Sequence, residues 1–283
     1  MIQTRPTTRI DYSRRVARVM AYINDHLDED LPLERLAEIA CFSPCHFHRI
    51  YRLIAGETAS DTVRRLRLHR AANELARSGK PIERIARRAG YGSIEAFTRA
   101  FGADHGQPPA AYRSRLTPFH PQPNGDTIMQ PVTIKSFEGA RLAALEHRGD
   151  YQQIGKRFDA LAAWAGGHGL LDQPRRWFGI YYDDPESVPK ERLHSEAALE
   201  IDADTPLGEG MQRRELPPMR VASIIHKGPY AELERTYRIL YGEWLPASGE
   251  EAADQPCFEH YVNDARTTPP SELLTEIMLP LKD

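Results

Sequence analysis

The sequence predicts a multidomain protein, in which an all-α N-terminal domain with two helix-turn-helix units precedes an α+β C-terminal domain. Three observations predict this architecture. Apolar residues recur at helical spacing up to about residue 116, prolines cluster between residues 117 and 130, and apolar and polar residues alternate from about residue 131. The predicted divisions are therefore 10–116 for the first domain, 117–130 for the linker and 131–282 for the second domain.

The first domain begins with an amphipathic helix predicted over residues 11–26, and Pro32 lies in the first turn of the next helix. Ser43 and the proline after it provide the N-cap and the first position of a third helix. Residues 58–78 predict one long helix that ends at Gly79. Because a helix rises about 1.5 Å per residue, this one spans about 30 Å, close to the ~34 Å turn of B-DNA.

Residues 81–113 predict two short helices around a tight break. The first helix ends at Gly90, because glycine tolerates the positive φ of a helix C-terminus, and Ser93 is the predicted N-cap of the second. Two amphipathic helices joined by a short turn that contains glycine make a helix-turn-helix, although an ordinary helical hairpin has the same pattern.

The same helical unit occurs twice in this region. Ala37 recurs as Ala86, 49 residues on, and Arg49 recurs as Arg99, 50 residues on. The motifs L-x-x-L-A-x-x-A, S-P-x-H-F-x-R, I-x-x-I-A-x-x-x-G-Y, F-x-R-x-F and G-x-x-P-x-x-Y-R resemble the DNA-binding domain of the AraC/XylS family of bacterial transcription regulators, over roughly residues 10–116. The resemblance implies two recognition helices that meet successive major-groove segments of double-stranded DNA.

Base contacts are expected, residue by residue from this resemblance, on the exposed sides of the two recognition helices. Arginine can bond guanine O6 and N7 together, Glu95 can accept from cytosine N4, and Ile94 can pack on a thymine methyl. Arg49 and Arg99 occupy the repeated position, where a phosphate contact or a helix C-terminus is the alternative. The predicted DNA-contacting residues are Cys45, His46, His48, Arg49, Ser93, Ile94, Glu95, Thr98 and Arg99.

The long helix carries four further arginines, which either contact phosphate or only solvate the helix: Arg64, Arg65, Arg67 and Arg70. The cysteines and histidines around the first recognition helix fit no standard zinc spacing, so no metal is predicted. No cofactor and no catalytic residue are predicted either.

The net charge of −3 hides an asymmetry between the two halves of the chain. Residues 1–117 hold 20 basic and 13 acidic residues, a balance of +7, whereas residues 118–283 hold 17 and 27, a balance of −10. This distribution favours a polyanion as partner of the first half. Three cysteines, no apolar run of membrane-spanning length and no apolar signal core predict a cytoplasmic protein without disulfides or membrane contact, at the bacterial nucleoid when bound to DNA.

The C-terminal domain holds a second repeat. The segment 141–165 returns as 220–244 at an offset of 79 residues, and the same offset matches Tyr182 to Tyr261. Each copy is predicted to run strand, helix, strand, strand, so two copies make an α+β domain with approximate twofold symmetry. Two glutamates also correspond, namely Glu196 and Glu276.

This half resembles the GyrI-like small-molecule-binding domain over roughly residues 129–282. The motifs are H-[RK]-G-x-Y before each helix, G-I-Y-Y-D-D-P at residues 179–185 and F-E-H-Y at residues 258–261. With the AraC-type first half, the chain resembles the right-origin-binding subgroup of activators. The resemblance implies a groove between two pseudo-symmetric halves, where organic molecules, often cationic and aromatic, meet aromatic walls and a buried carboxylate.

Glu259 is the candidate for that carboxylate, since an acid beside Phe258 and Tyr261 loses solvation and favours a cationic partner. The alternatives are a surface acid and aromatic residues of the core. His147 and His226 follow strands and are expected to close turns. The candidate wall residues, which act by stacking or cation–π contact, are Tyr261, Tyr182, Trp177, Tyr151, Tyr230 and Trp164.

Two classes of function follow from these patterns. The favoured one is a DNA-binding transcription regulator that senses a small-molecule effector and acts on RNA polymerase. The second makes the GyrI-like domain a hydrolase of electrophiles, with Glu259 activating water and a tyrosine as acid or orienting donor. A minor alternative is a protein-interaction module, as in gyrase inhibition.

Overall fold

The computed structural model describes residues 6–116 and 131–283, so the predicted linker 117–130 lies outside the described residues. The N-terminal region is helical, as predicted, and no helix in the described ranges is long and apolar enough to span a membrane. Its helices are α1 (Pro6–Asp25), α2 (Leu33–Ile39), α3 (Pro44–Ala55), α4 (Ala59–Arg77), α5 (Ile82–Arg88), α6 (Ile94–His105) and α7 (Pro109–Leu116).

The two helix-turn-helix units repeat at the predicted spacing. Helix α5 begins 49 residues after α2, and α6 begins 50 residues after α3. Ser43 and Ser93 cap the recognition helices as expected, since their hydroxyls accept from the backbone N–H of His46 and Ala96. Gly90 has φ 84°, and a Cβ there would lie 2.5 Å from a guanidinium nitrogen of Arg67, so both backbone and space require glycine.

The C-terminal region alternates strands and helices. Its helices are α8 (Gly155–Gly167), α9 (Leu233–Arg238), which continues into a π-helix (Ile239–Trp244), and α10 (Leu245–Ser248). Its strands are β1 (Thr133–Phe137), β2 (Ala140–Arg148), β3 (Trp177–Tyr181), β4 (His194–Glu200), β5 (Gln212–Leu216), β6 (Met219–Lys227), β7 (Cys257–Tyr261) and β8 (Leu274–Pro280).

In each copy of the C-terminal repeat a strand precedes the predicted strand, helix, strand, strand unit: β1, which was predicted from residues 132–137, and β5, which was not predicted. These leading strands are exchanged between the copies: β1 pairs with β6, and β5 pairs with β2. Both are largely exposed. The alternation of residues 132–137 predicts β1, whereas β5 reads QRREL and lacks the apolar alternation by which a strand is recognised in sequence.

The chain forms two compact units, and these cut across the predicted domain boundaries. One unit comprises the described residues of Met1–Leu66 with Glu138–Pro218, and the other the described residues of Arg67–Phe137 with Met219–Asp283. Each unit therefore holds one helix-turn-helix and one half of the GyrI-like region. The antiparallel strand order is β5-β2-β4-β3 in the first unit and β1-β6-β8-β7 in the second.

Helix α8 packs closely on the N-terminal helices within the first unit. The Nε of Arg9 donates to the carbonyl of Gly166 at 2.8 Å. A Cβ on Gly167 would lie 2.2 Å from the Ser13 hydroxyl, and one on Gly166 would lie 3.1 Å from the Ile54 carbonyl. The glycines at the end of α8 thus allow α1 and α3 to approach the helix backbone.

The second helix-turn-helix packs in a similar way on the C-terminal half of the second unit. The rings of His69 in α4 and Tyr230 are 6.3 Å apart. Ser271 lies within van der Waals distance of the position that a Cβ on Gly106 would occupy. An ion pair joins Arg115 at the end of α7 to Glu232.

An acid two strands away in the sheet anchors each exchanged strand. Glu196, 1% exposed, accepts from the Nη2 of Arg214 in β5 at 2.7 Å. At the equivalent place in the other copy, Glu276 accepts from Lys135 of β1 and from the Ser223 hydroxyl. Hydrogen bonds from His260, Lys135 and Ser223 lower the pKa of Glu276 to about 2.

His105 should make the second helix-turn-helix sensitive to acid. Its ring stacks on Phe101 at 4.1 Å, and burial lowers its pKa to about 4 although Asp104 lies 3.4 Å from Nδ1. In the unfolded chain the His105 imidazole takes up a proton near pH 6.5. The neutral, buried ring therefore contributes fully to the free energy of unfolding above that pH, and this contribution falls by about 3 kcal/mol towards pH 4. Thermal unfolding of His105→Leu should show a smaller acid loss than the wild type; equal pH dependence in both would contradict this assignment.

Candidate nucleic-acid interface and small-molecule site

The first recognition helix, α3, separates an apolar face from a polar one. Its N-cap accepts from His46 N–H at 3.5 Å, and it ends at Gly56 with φ 80°. The residues that it buries are Phe47, Tyr51, Ile54 and Ala55. The residues that the sequence assigned to DNA are all exposed, namely Cys45, His46, His48 and Arg49.

The second recognition helix, α6, repeats this arrangement with one difference. Phe97, Phe101 and His105 face inward, while Ser93, Ile94, Glu95 and Arg99 are exposed as predicted. Thr98 is half-buried, so only part of its side chain can reach a partner. Hydrogen bonds from its own backbone N–H and from Ser93 lower the pKa of Glu95, which keeps an accepting carboxylate at the start of the helix.

Two residues of α3 that sequence reasoning missed extend its exposed face. Arg52 and Leu53 line a groove together with His48 and Arg49. Leu53 is 86% exposed, which is unusual for leucine, and lies one turn beyond Arg49. The equivalent positions in α6 are Gly102 and Ala103, so only α3 carries these larger side chains. The sequence signal that could have identified these two residues is their helical spacing from Arg49.

The four arginines of α4 differ in their surroundings. Arg64 has 67% of its side chain exposed. The guanidinium of Arg65 is bonded to Glu57, that of Arg67 lies against Gly90, and that of Arg70 donates to the Arg88 carbonyl at 2.7 Å. Three of the four arginines therefore contact other residues of the protein, which neither the phosphate contact nor the mere solvation of the helix anticipated. Of these four, only Arg64 presents a mostly exposed cation.

Glu259 is a buried acid held by two tyrosines. It is 2% exposed, so the alternative of a surface acid is wrong. Its Oε1 accepts from the Tyr237 hydroxyl and its Oε2 from the Tyr261 hydroxyl, both at 2.8 Å. Residue Glu259 is paired across the sheet with Ile277, which packs with Leu240 of the π-helix. The acid therefore lies on the sheet face that α9 and the π-helix cover.

Further aromatic side chains surround this acid. Tyr230 meets Tyr261 edge to face, with ring centroids 5.4 Å apart, so this predicted pair is brought together. Tyr237 and Tyr241, which sequence reasoning missed, are stacked with centroids 6.3 Å apart. The π-helix that contains Tyr241 gave no sequence signal, although π-turns are frequent at functional sites. Burial raises the pKa of the nearby Cys257 thiol to about 12.

The aromatic candidates of the first unit form a separate set on the α8 face of its strands. Trp177 is half-buried and contacts Phe158 of α8. Trp164 is 8% exposed and packs in the apolar core, but its Nε1 has no hydrogen-bond partner among the described residues. Tyr151 ties down the segment after β3, since its hydroxyl accepts from Asp183 N–H at 3.0 Å and contacts the Asp183 carbonyl.

Tyr182 does not join either set. Its hydroxyl donates to Glu196, whose pairing with Ile180 places both on the face opposite Trp177. Its match to Tyr261 was also one residue wrong. Strand registers place Tyr181 opposite Ser195 and Tyr261 opposite Thr275, an offset of 80, so Tyr181 is the counterpart of Tyr261.

Comparison with known proteins assigns both halves of the chain. Residues 130–282 match the family model of the GyrI-like small molecule binding domain, and residues 36–115 match a helix-turn-helix domain. A DNA gyrase inhibitor of Edwardsiella piscicida is 33% identical over 164 residues, which cover 53% of this chain and 97% of that protein. The regulatory protein SoxS of Escherichia coli K12 is 31% identical over 107 residues, which cover 38% of this chain and all of SoxS.

A solved structure of an EcmrR–DNA complex aligns with 89% of this chain and 99% of its own chain at 14% identity, with a TM-score of 0.47. The chain belongs to the GyrI-like family and joins that small-molecule-binding domain to an AraC-type helix-turn-helix domain, which makes it a DNA-binding transcription regulator of bacterial type.

Proposed function

We propose that α3 and α6 read two successive major-groove segments of one duplex through the nine residues predicted from the sequence. The observation that carries this proposal is the exposure of eight of them on two helices of identical length and capping. Helix α4 is continuous over 19 residues, about 28 Å at 1.5 Å per residue, a length suited to neighbouring groove segments. A mobility-shift titration should show salt-sensitive, sequence-selective binding; no shift at low salt would contradict it.

Each helix offers different chemistry to the DNA. Arg49 and Arg99 suit guanine, and Ile94 suits a thymine methyl. Glu95 can only accept, so it favours cytosine N4 and is repelled by phosphate. The groove with Arg52 and Leu53 gives α3 more cationic and apolar surface than α6. We therefore expect the segment under α3 to contribute more of the binding free energy.

The effector is proposed to be a cationic aromatic molecule held at Glu259. A carboxylate that is 2% exposed loses most of its hydration, and tyrosine hydroxyls replace only part of it. A ligand cation would restore that loss, and the rings of Tyr230, Tyr237 and Tyr261 would add stacking and cation–π contact. Trp177 and Trp164 stay candidate wall residues for a ligand in the first unit.

Benzyltrimethylammonium and its neutral isostere neopentylbenzene make a matched pair of probes for this site. Their shapes agree, so a difference in binding reports on charge alone. We expect the cation to raise the thermal unfolding midpoint of the full chain, because a ligand that binds only the folded state stabilises it by RT ln(1 + [L]/Kd). Equal stabilisation by both compounds would contradict a role for the carboxylate.

RNA polymerase is the proposed protein partner, because a transcription regulator acts on that enzyme. The protein would then work in the bacterial cytoplasm, at the nucleoid when bound to DNA. Transcription in vitro from a template with a selected binding site should change on addition of the protein, and an unchanged transcript level would contradict the partnership.

A second candidate function is binding to a protein target through the GyrI-like domain. The relative named DNA gyrase inhibitor, which this chain covers almost completely, favours it. Inhibition of gyrase supercoiling by the chain in the absence of its DNA site would support this function. The hydrolase alternative stays open and requires turnover of an electrophile that is lost in Glu259→Gln.

A further inference from the structure

Two arginines occupy equivalent positions in the helix-turn-helix repeat, and each contacts an acid of the GyrI-like region. Arg65 and Arg115 are 50 residues apart, the spacing of the recognition helices, and each is the seventh residue of its helix. Arg65 lies near Asp159 of α8 in the first unit, and Arg115 pairs with Glu232 in the second. The repeat therefore continues beyond the DNA-reading helices into contacts with the sensor.

In the first unit, Arg65 belongs to a buried group of charges. It bonds Glu57 through both Nε and Nη2, the latter at 2.6 Å, and its Nη2 is 3.9 Å from the Oδ1 of Asp159. The other oxygen of Asp159 accepts from Asn24 of α1 at 3.0 Å. The side chains of Arg65 and Asp159 are 24% and 14% exposed, so solvent screens their attraction less than at the surface.

This group is joined directly to the first recognition helix. The hydroxyl of Tyr51, a fully buried residue of α3, donates to the Thr62 hydroxyl at 2.9 Å, and Thr62 donates to Glu57 at 2.9 Å. Tyr51 lies two residues after Arg49. A continuous series of contacts thus runs from a predicted base-reading segment through α4 to helix α8.

The second unit has the same arrangement with different residues. Glu232 is 8% exposed and pairs with Arg115, whose guanidinium also lies 5.7 Å from the ring centre of Tyr112. Tyr112 is the repeat equivalent of Thr62, and its ring meets Phe101 of α6 at 5.3 Å. Phe101 is in turn the equivalent of Tyr51. In the second unit, the contact nearest the GyrI-like region is therefore the ion pair of Arg115, and the contacts nearest α6 are those of the aromatic rings.

We propose that Arg65 and Arg115 are positioning residues, each of which fixes the orientation of one recognition helix against an acid of its own half of the GyrI-like domain. The sensor is then a structural part of both DNA readers. Removing either acid should weaken the DNA contacts of one helix and leave those of the other intact.

The arrangement gives an effector bound at Glu259 a route to the DNA, and this route rests on the proposed function. Tyr237 of α9 donates to Glu259, and Glu232 is the residue immediately before α9. An effector that displaces α9 from Glu259 would therefore move Glu232 relative to Arg115. Such a molecule should change protection of the DNA segment under α6 more than that under α3.

The test is hydroxyl-radical footprinting of the full chain on a duplex that the wild type selects from a random library. Asp159→Asn keeps an acceptor oxygen for Asn24 but removes the charge and the oxygen that face Arg65. Glu232→Gln removes the charge that faces Arg115 and keeps one acceptor oxygen. Each variant should need roughly three- to tenfold more protein to protect one segment, a different one for each variant, with the other unchanged. Asp25→Asn and Glu234→Gln remove exposed ion-pair partners and serve as matched controls without effect.

The outcomes separate the two proposals. If the wild type protects no segment, the proposed reading of DNA fails. If it protects two segments but each variant weakens both equally, the acids only stabilise the fold, which a parallel drop in the thermal midpoint would reveal. Unchanged protection in both variants overturns the positioning role, while Asp159→Glu should restore part of the loss seen with Asp159→Asn.

Discussion

Replacing Arg49 by alanine is expected to lower the affinity for the selected duplex about 5- to 150-fold, because a bidentate arginine–guanine contact is worth roughly 1–3 kcal/mol. Arg99→Ala should have an effect of the same kind on the second segment. The double variant should retain only non-specific binding, since both recognition helices then lack their main donor. The measurement is a mobility-shift titration at several salt concentrations, with Arg35→Ala, an exposed arginine of α2, as the control of equal charge.

The salt dependence distinguishes base reading from phosphate contact. If Arg49 contacts bases, its loss relaxes the sequence preference at one position and changes the salt slope little. If it contacts phosphate, affinity falls uniformly across sequences and the slope decreases by about one. Affinities of Arg49→Ala and Arg99→Ala that match Arg35→Ala would contradict the assignment of both recognition helices.

Replacing Glu259 by glutamine should reduce binding of benzyltrimethylammonium at least about tenfold, since the charge that offsets the ligand cation is removed in a site of low polarity. Glutamine keeps one acceptor oxygen for a tyrosine hydroxyl and presents its NH2 to the other hydroxyl, which can turn to accept, so the fold should be retained. The unliganded variant should not unfold at a lower temperature, because a buried carboxylate costs solvation that glutamine does not. The measurement is the thermal shift of the full chain over a range of ligand concentrations.

Glu251→Gln is the matched control, because it removes the same charge from an acid that is 72% exposed and paired with Lys282. It should leave ligand binding unchanged. Neopentylbenzene should bind Glu259→Gln and the wild type equally. Undiminished binding of the cation in Glu259→Gln would place the effector site elsewhere.

The helical half of the fold follows from the sequence because its determinants are local. Ser43 and Ser93 each lie three residues before the backbone N–H that they cap, and Gly90 carries the positive φ that the turn requires. The buried Phe47 and Phe97 repeat at the spacing of the recognition helices. The exposure of the DNA-reading residues then follows from helical periodicity, with Thr98 as the exception.

The remaining features depend on contacts between residues far apart in the chain. Neither Asp159 nor Glu232 is adjacent in sequence to the arginine it contacts, so the internal role of Arg65 has no local signal. The exchange of β1 and β5 between the repeat copies is likewise a pairing across some 80 residues. Alternation also places adjacent residues on opposite faces of a sheet, so a match shifted by one residue moved Tyr182 into the wrong group.

Phasing of the two DNA segments tests the central claim most directly, namely that one continuous α4 holds two readers on successive major-groove segments. On the selected duplex, the wild-type footprint should show two protected segments about 10 bp apart on one face. Inserting about 5 bp between them, half a helical turn, should leave only one segment protected. Protection of a single segment on the original duplex, or two protected segments regardless of the insertion, would contradict the account.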